Sequence, residues 1–317
     1  MKKILDYKCV VWGIGNDYEN LVNQIQFEVA KGNIIITALV ARSQDIVEKT
    51  LDGIIIVTKE ELKDMTFDYL IVTSSLYFQR IVEEAKELNI SEDKIINGSV
   101  MKLPFFDFRR YVSLVENRIT ILSDDCWGGY IYHKLFMKFY SPCINIKWQK
   151  DSFVKFIQKP GYYLSQPLRM EREGDIRGNL FPIGSLGEGE EKVYMDLVHS
   201  VCFEDAKKLW DKRTERVNFE NLFIKLGIDA SDKNRDFYLD GFDQVKQKKI
   251  CFYSGETEIK SVIYLKRFEK FVTTGSRMDT IKYHDYCRDL DWLLKSIDIL
   301  KLLNGKENFL REGQHVS

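Results

Sequence analysis

The chain has 317 residues, 44% of them hydrophobic, and a mean hydropathy of -0.27; no run of about 18 uncharged apolar residues exists to cross a bilayer, so no membrane span is expected. Its 47 basic and 48 acidic residues leave a net charge of -1, which removes the long-range attraction of a general nucleic-acid binder. The length suits two cores of about 100 to 200 residues better than one.

The N-terminus, MKKILDYKCVVWGIG, has the positive start of an export signal. Asp6 and Lys8 interrupt its apolar stretch, however, and a glycine turn follows at once, so it reads as a first buried strand. A strand is expected at Cys9 to Trp12, a helix at about Glu19 to Lys31, and strands at Ile34 to Val40 and Gly53 to Val57. Thr58 can cap the helix KEELKDM, with Glu61 three residues on as a capping box requires. The apolar run Tyr69 to Val72 and the helical stripe of IVEEAKEL follow, then a short strand in Asp93 to Asn97. Apolar runs without alternation suit parallel strands covered on both faces.

A second strand-turn-helix start lies at Ile119 to Phe136. Its strand ITIL, at 119 to 122, leads to a helix through Tyr130 to Phe139, a strand INIKW at 144 to 148, a helix at Lys150 to Gln158 and a turn PGYY. Arg169 to Gly189 reads as an extended loop rich in glycine, proline and charge. A strand at Val193 to His199 precedes a helix in which Ala206, Leu209, Trp210, Arg213 and Val217 share a face. Leu222 to Leu226, Ile250 to Tyr253 and Ser261 to Leu265 complete a second sheet, and Trp292 to Leu303 closes with a helical stripe. The fold expected is α/β: two Rossmann-like three-layer α/β/α domains with mainly parallel sheets, at 1–110 and 111–317.

Gly13 and Gly15 have the spacing of a dinucleotide loop, where missing side chains let a phosphate approach a helix start, with Asn16 beside them. Tyr18 replaces the third small residue, and the strand ending in Ala41, Arg42 and Ser43 lacks the acid that binds a ribose; Arg42 can instead meet a 2'-phosphate. A structural turn is the competing reading. Asp124, Asp125, Cys126, Trp127, Gly128 and Gly129 follow a strand and open a helix, where ligands of α/β sheets collect. The glycines free backbone for an anion, Trp127 can stack on a sugar or base, and Asp124 or Asp125 can orient a hydroxyl or act as a base. The plainer alternative makes an aspartate the helix cap, Trp127 core and Cys126 inert. Cys126 and His133 are two turns apart, roughly 10 Å, and form no dyad by spacing. His199, at a strand end, is the candidate acid or base if its strand neighbours that of the Asp124 loop.

Tyr162, Tyr163, Arg169, Arg172 and Arg177 can line an anionic site, although Glu171, Glu173 and Asp175 among them favour mutual pairing. Arg213 and Arg216 carry the same ambiguity. The six cysteines, at 9, 126, 143, 202, 251 and 287, show no metal-ligand rhythm and suit a reducing cytoplasm. No cofactor follows from the residues.

Four motifs, LSDDCWGGYIYHKL at 122–135, SPCINIKW at 141–148, FPIG at 181–184 and LVHSVCFEDAKKLWDKRTERVNFENLF at 197–223, carry a resemblance to a bacterial family of unknown function often labelled exopolysaccharide or capsule biosynthesis. The family usually has asparagine where this chain has Asp124 and Asp125, whereas Cys126, Trp127, Gly128, Gly129 and His199 fit its pattern. Through GIGNDYENL, VTKEELKDMTFDYLIVTSS and ELNISEDKIIN, the first segment resembles the small α/β domain of polysaccharide sugar-modifying proteins. The hexapeptide repeats of an acyltransferase solenoid are missing. The resemblance implies a cytoplasmic protein that transfers or modifies a group on a nucleotide-activated sugar, or a non-catalytic module binding a sugar nucleotide, an anionic small molecule or a protein. A homodimer is a further expectation, with no interface named by the sequence.

Overall fold

The computed structural model describes residues 6–41, 49–175, 180–264 and 290–310. The chain divides into two compact units, Met1–Glu116 and Asn117–Ser317. It is α/β with mainly parallel sheets, and among the described residues no helix is long and apolar enough to cross a membrane.

The first unit runs β1 (Tyr7–Trp12), α1 (Asn16–Glu19), α2 (Val22–Ala30), β2 (Ile34–Val40), β3 (Thr50–Leu51), β4 (Ile54–Val57), β5 (Tyr69–Val72), α3 (Phe78–Glu87), β6 (Ile95–Asn97) and α4 (Phe108–Glu116). The strand order is β3-β4-β2-β1-β5-β6, parallel except at β3. Every residue of β5 is buried, as the unalternating YLIV requires of a strand covered on both faces. The chain leaves β1 toward β2 on one side and returns to β5 on the other, so the sheet reverses direction of winding between β1 and β5. The carboxyl ends of those two strands are the place where open α/β sheets bind their ligands.

Helix α4 is tied to this unit by a polar knot. Buried Glu28 accepts from Asn33 Nδ2 at 2.6 Å, Lys31 Nζ at 2.9 Å and the Phe108 backbone N–H at 2.9 Å. Arg109 adds donors to Asp6, Asn33 and the Gly32 carbonyl. A buried carboxylate is tolerable only when so satisfied, and here it caps α4 as it does so.

The second unit opens with β7 (Thr120–Ser123) and α5 (Trp127–Lys134). β8 (Lys147–Trp148), α6 (Lys150–Gln158), α7 (Pro160–Leu164), β9 (Arg169–Arg172), β10 (Ile183–Leu186), β11 (Val193–Asp196) and α8 (Phe203–Thr214) come next. β12 (Leu222–Ile228), α9 (Arg235–Asp243), β13 (Lys248–Tyr253), β14 (Val262–Tyr264), α10 (Leu290–Ser296) and α11 (Ile299–Leu303) end it. Strands β14-β13-β12-β7 form a parallel sheet. The segment between β7 and β12 builds a separate antiparallel sheet, β8-β11-β10-β9.

That second sheet is an antiparallel addition to the mainly parallel sheet expected for this half. Residues 193–196 alternate between buried and half-buried, the period of an antiparallel strand with one covered face. The stretch 169–189 holds two strands, and the PGYY turn is a helix with proline in its first turn, where a missing N–H costs nothing. Leu122, Ile224, Leu226 and Cys251 of the parallel sheet share one core with Trp148, Leu186, Val193 and Met195 of the antiparallel one.

Candidate functional site

At the carboxyl edge of the first sheet, Gly13 has φ +108°, a conformation that a side chain opposes, and an added Cβ would stand 2.6 Å from Thr73 Oγ1. Thr73 donates to the Trp12 and Gly13 carbonyls, at 3.2 and 3.0 Å, and pins the β1 and β5 ends together. Gly15 differs: its φ is ordinary and the space beside it is open. Gly15, Asn16, Ser75, Leu76 and Tyr77 are exposed, with Leu76 at 80% and Tyr77 at 56%. One carboxylate oxygen of Asp17 accepts from the Ser75 N–H at 3.1 Å, bridging the two loops. The sequence reading sought a sugar-binding acid at the end of β2 and passed over Asp17, which stands four residues after Gly13 and meets the loop after β5. Tyr18 is buried and fills the position of the missing third glycine. Arg42 lies outside the described residues.

In the second unit the Asp124 to Gly129 loop closes on itself. Lys225, in the middle of β12, is fully buried, donates to Asp124 at 3.0 Å and also to Asp125. Asp124 replaces a rung of the β-ladder. Its N–H donates to the Lys225 carbonyl, its own carbonyl turns away to accept from Trp148, and its carboxylate accepts from the Gly227 N–H at 3.1 Å. Burial pushes the Asp124 carboxyl above its ordinary range, with the Lys225 ammonium opposing and the Asp125 charge reinforcing the shift.

Asp125 caps the Trp127 N–H at 2.8 Å, and Ser123 Oγ takes the Gly128 N–H at 3.2 Å. These helix-start donors are occupied by the protein's own oxygens. Gly128 is required by packing, since a Cβ there would lie 2.9 Å from Ser123 Oγ and 3.2 Å from Ile121. Trp127 is 1% exposed, its ring stacked on Phe223 and edge-on to Phe252. Of the two readings offered for it, this placement favours the core one. Cys126 is half-buried, and burial raises its thiol to about 11, so it is protonated near neutrality.

His199 follows β11 in the antiparallel sheet, and that strand is not a neighbour of β7. The condition under which it would meet the Asp124 loop through paired strands is not met. It is exposed, has φ +67° and lies 6.4 Å, ring to ring, from exposed Phe181. His133 packs edge-on to Phe139 in the last turn of α5. The arginines of 169–172 pair outside their own cluster: Arg169 with Glu188 at 2.5 Å and Arg172 with the Phe181 carbonyl. Glu171 meets Lys192, and Glu173 caps α8 at the Phe203 N–H. Tyr163 bonds Glu191 through its hydroxyl, while Tyr162 is exposed. Arg177 lies outside the described residues.

Lys225 is the central residue that the sequence reading missed. Its signal was present: a lone lysine inside the apolar strand LFIKLGI must have a buried counter-charge.

Residues 5–96 match the sequence profile described as C2185-like, N-terminal, and residues 97–294 match the one described as a domain of unknown function, DUF1919. An uncharacterized protein of Haemophilus influenzae is 29% identical over 206 residues, which are 62% of this chain and 95% of that protein. The profile boundary at 96/97 precedes the structural one at 116/117 because α4 is bound into the first unit through Glu28 and Arg109. With more than half of its length matching that profile, the chain belongs to the DUF1919 family.

Proposed function

We propose that the chain binds a nucleotide-activated sugar in exopolysaccharide biosynthesis, at the crevice between β1 and β5, and acts there as a binding module. The observation that carries this reading is the switch in sheet winding at β1/β5, flanked by an open Gly15, an exposed Tyr77 and the Asp17 carboxylate. In that arrangement Tyr77 stacks on the base, the second oxygen of Asp17 accepts a sugar hydroxyl, and Gly13, Gly15 and Asn16 let the phosphates approach the backbone. A module fits better than an enzyme because the buried carboxylates of the second unit are engaged by Lys225 and its half-buried thiol is protonated. A cytoplasmic location belongs to the same proposal, supported by five free thiols among the described cysteines; so does a homodimer, which light scattering tests.

A second reading, transfer or modification of a group on that sugar, is favoured by His199, an exposed imidazole on a left-handed backbone. Native mass spectrometry of the purified chain against UDP-, GDP-, dTDP- and CMP-sugars, followed by product analysis, separates the readings. Binding without turnover supports the module. Turnover lost in His199→Ala supports transfer, and no binding to any of the four removes both.

A further inference from the structure

Among the described residues, four helices end in one way. A residue with a left-handed backbone donates its N–H to the carbonyl three places back, and the next N–H reaches the carbonyl five places back. After α2, α3 and α11 that residue is Gly32, Asn89 and Gly305, the types that adopt a positive φ at least cost. After α5 it is Phe136, at φ +51°. A bulky side chain opposes that conformation, and the ring recovers little by packing because Phe136 is 48% exposed. Exposed apolar residues are common when taken singly. One held exposed at a cost to the backbone calls for a use outside the fold.

The charge around Phe136 is one-sided. Between Asp125 and Asp151 the sequence holds four lysines and no acid, although acids and bases are nearly equal in number over the whole chain. Lys134 and Lys138 flank Phe136, and Met137 and Phe139 beside it are half-buried. The end of α8 adds two arginines. Arg216 donates to the Phe139 carbonyl at 3.4 Å, and the Arg213 guanidinium lies 5.4 Å from the centre of the Phe139 ring. Glu215 is the acid between them, and Asp211, one turn earlier, is bridged to Lys207. The carboxyl ends of α5 and α8 together contribute about one negative charge, which with Glu215 leaves roughly two of the four positive charges as a surplus. Phe105 supplies a contrast: it has φ +58° and is exposed, but Lys31, which reaches the neighbouring Phe106 carbonyl, is bridged to Glu28 and Asp107.

We propose that the 133–139 loop docks on the surface of an anionic lipid bilayer. The Phe136 ring enters the boundary between headgroups and acyl chains, and Lys134, Lys138 and Arg216 meet lipid phosphates. Long basic side chains lay their stems along apolar surface while their charged heads stay with the phosphates, and each is drawn to a negative leaflet. One ring and a few cations give reversible attachment to the surface, with no segment crossing it. A bilayer takes the exposed ring and the cations on one continuous surface, which is why it is favoured over an acidic partner protein. The proposal rests on the second unit alone and is independent of the reading given to the first sheet.

Flotation of the full chain with vesicles of phosphatidylcholine alone, and of an equal mixture of phosphatidylcholine and phosphatidylglycerol, tests it. The chain is expected on the anionic vesicles and not on the neutral ones, and should leave them as salt is raised. Phe136→Gly installs the residue type found at two of the other helix ends. It should weaken attachment about tenfold while melting no earlier than wild type. Lys138→Glu, at an exposed position, should weaken attachment about tenfold or more. Phe136→Trp should stay attached, with the added indole quenched by brominated acyl chains. The proposal is overturned if anionic vesicles do not float the chain, if neutral vesicles float it equally well, or if Phe136→Gly leaves attachment unchanged. A Phe136→Gly variant that melts well below wild type also overturns it, since the ring would then serve the fold. Without attachment to vesicles, binding of polyglutamate would assign the loop to an acidic protein, and self-association lost in Phe136→Gly would assign it to a second copy of the chain; either result overturns the lipid assignment.

Discussion

Lys225 organises the second unit at the scale of single residues, because one buried ammonium serves two buried carboxylates. Lys225→Met is therefore expected to cost about 3–5 kcal/mol in a denaturant melt, the consequence of stranding buried charge. Asp124→Asn should be far milder. The amide oxygen can still accept from Gly227, and the excess negative charge is removed. The pH dependence has a definite sign. The folded Asp124 carboxyl lies above its unfolded value, so its protonated form is stabilising below the unfolded value and that contribution is lost as pH rises through the folded one. Asp124→Asn should thus gain stability relative to wild type as pH rises from about 4, where unfolded aspartates titrate, toward neutrality. A gap that narrows over that range contradicts the assignment. Trp127→Ala should cost about 3–5 kcal/mol, as a truncated core tryptophan does; a variant that melts like wild type would return Trp127 to the ligand-contact reading.

Two glycines separate at the scale of elements, although the sequence presents them as one motif. Gly13→Ala must place a Cβ on a φ of +108° and against Thr73, and should cost about 1–3 kcal/mol in thermal unfolding. Gly15→Ala should melt like wild type, which makes it the clean probe of binding. The same reasoning predicts which fragment folds. Residues 1–116 keep Phe108 and Arg109 on their partners and should melt cooperatively, whereas residues 1–96 lose the Phe108 donor to buried Glu28 and the Arg109 bonds and should not. A cooperative melt of 1–96 would show that α4 is dispensable. The strands of the first sheet were legible because unalternating apolar runs have one common solution. The antiparallel sheet was less so: β9 is a fully exposed four-residue strand with the pattern RMER, which carries no apolar period, and its partner β10 is interrupted by Gly184. The capping box at Thr58 and Glu61 was readable because its chemistry is local, with Thr58 N–H donating to Glu61 at 2.7 Å.

At the scale of the whole chain, candidate residues were legible by type but not by grouping. Asp124, Asp125, Trp127 and Gly128 do come together, yet around Lys225 and the core, because a partner about 100 positions away decides what a carboxylate does. His199 follows a strand that pairs with β8 and β10 and not with β7, which no local pattern reveals. Asp17 was overlooked because its role depends on the loop after β5. These placements make the carboxyl edge of the first sheet the site on which the proposed function depends. Hydrogen exchange measured by mass spectrometry, with and without a saturating panel of UDP-, GDP-, dTDP- and CMP-sugars, tests it most directly. Slowed exchange is expected in peptides spanning Gly13–Asp17 and Ser74–Tyr77 with at least one sugar nucleotide, weakened in Gly15→Ala. Unchanged exchange at both loops with every compound, or protection confined to other peptides, would contradict a nucleotide-sugar site between β1 and β5.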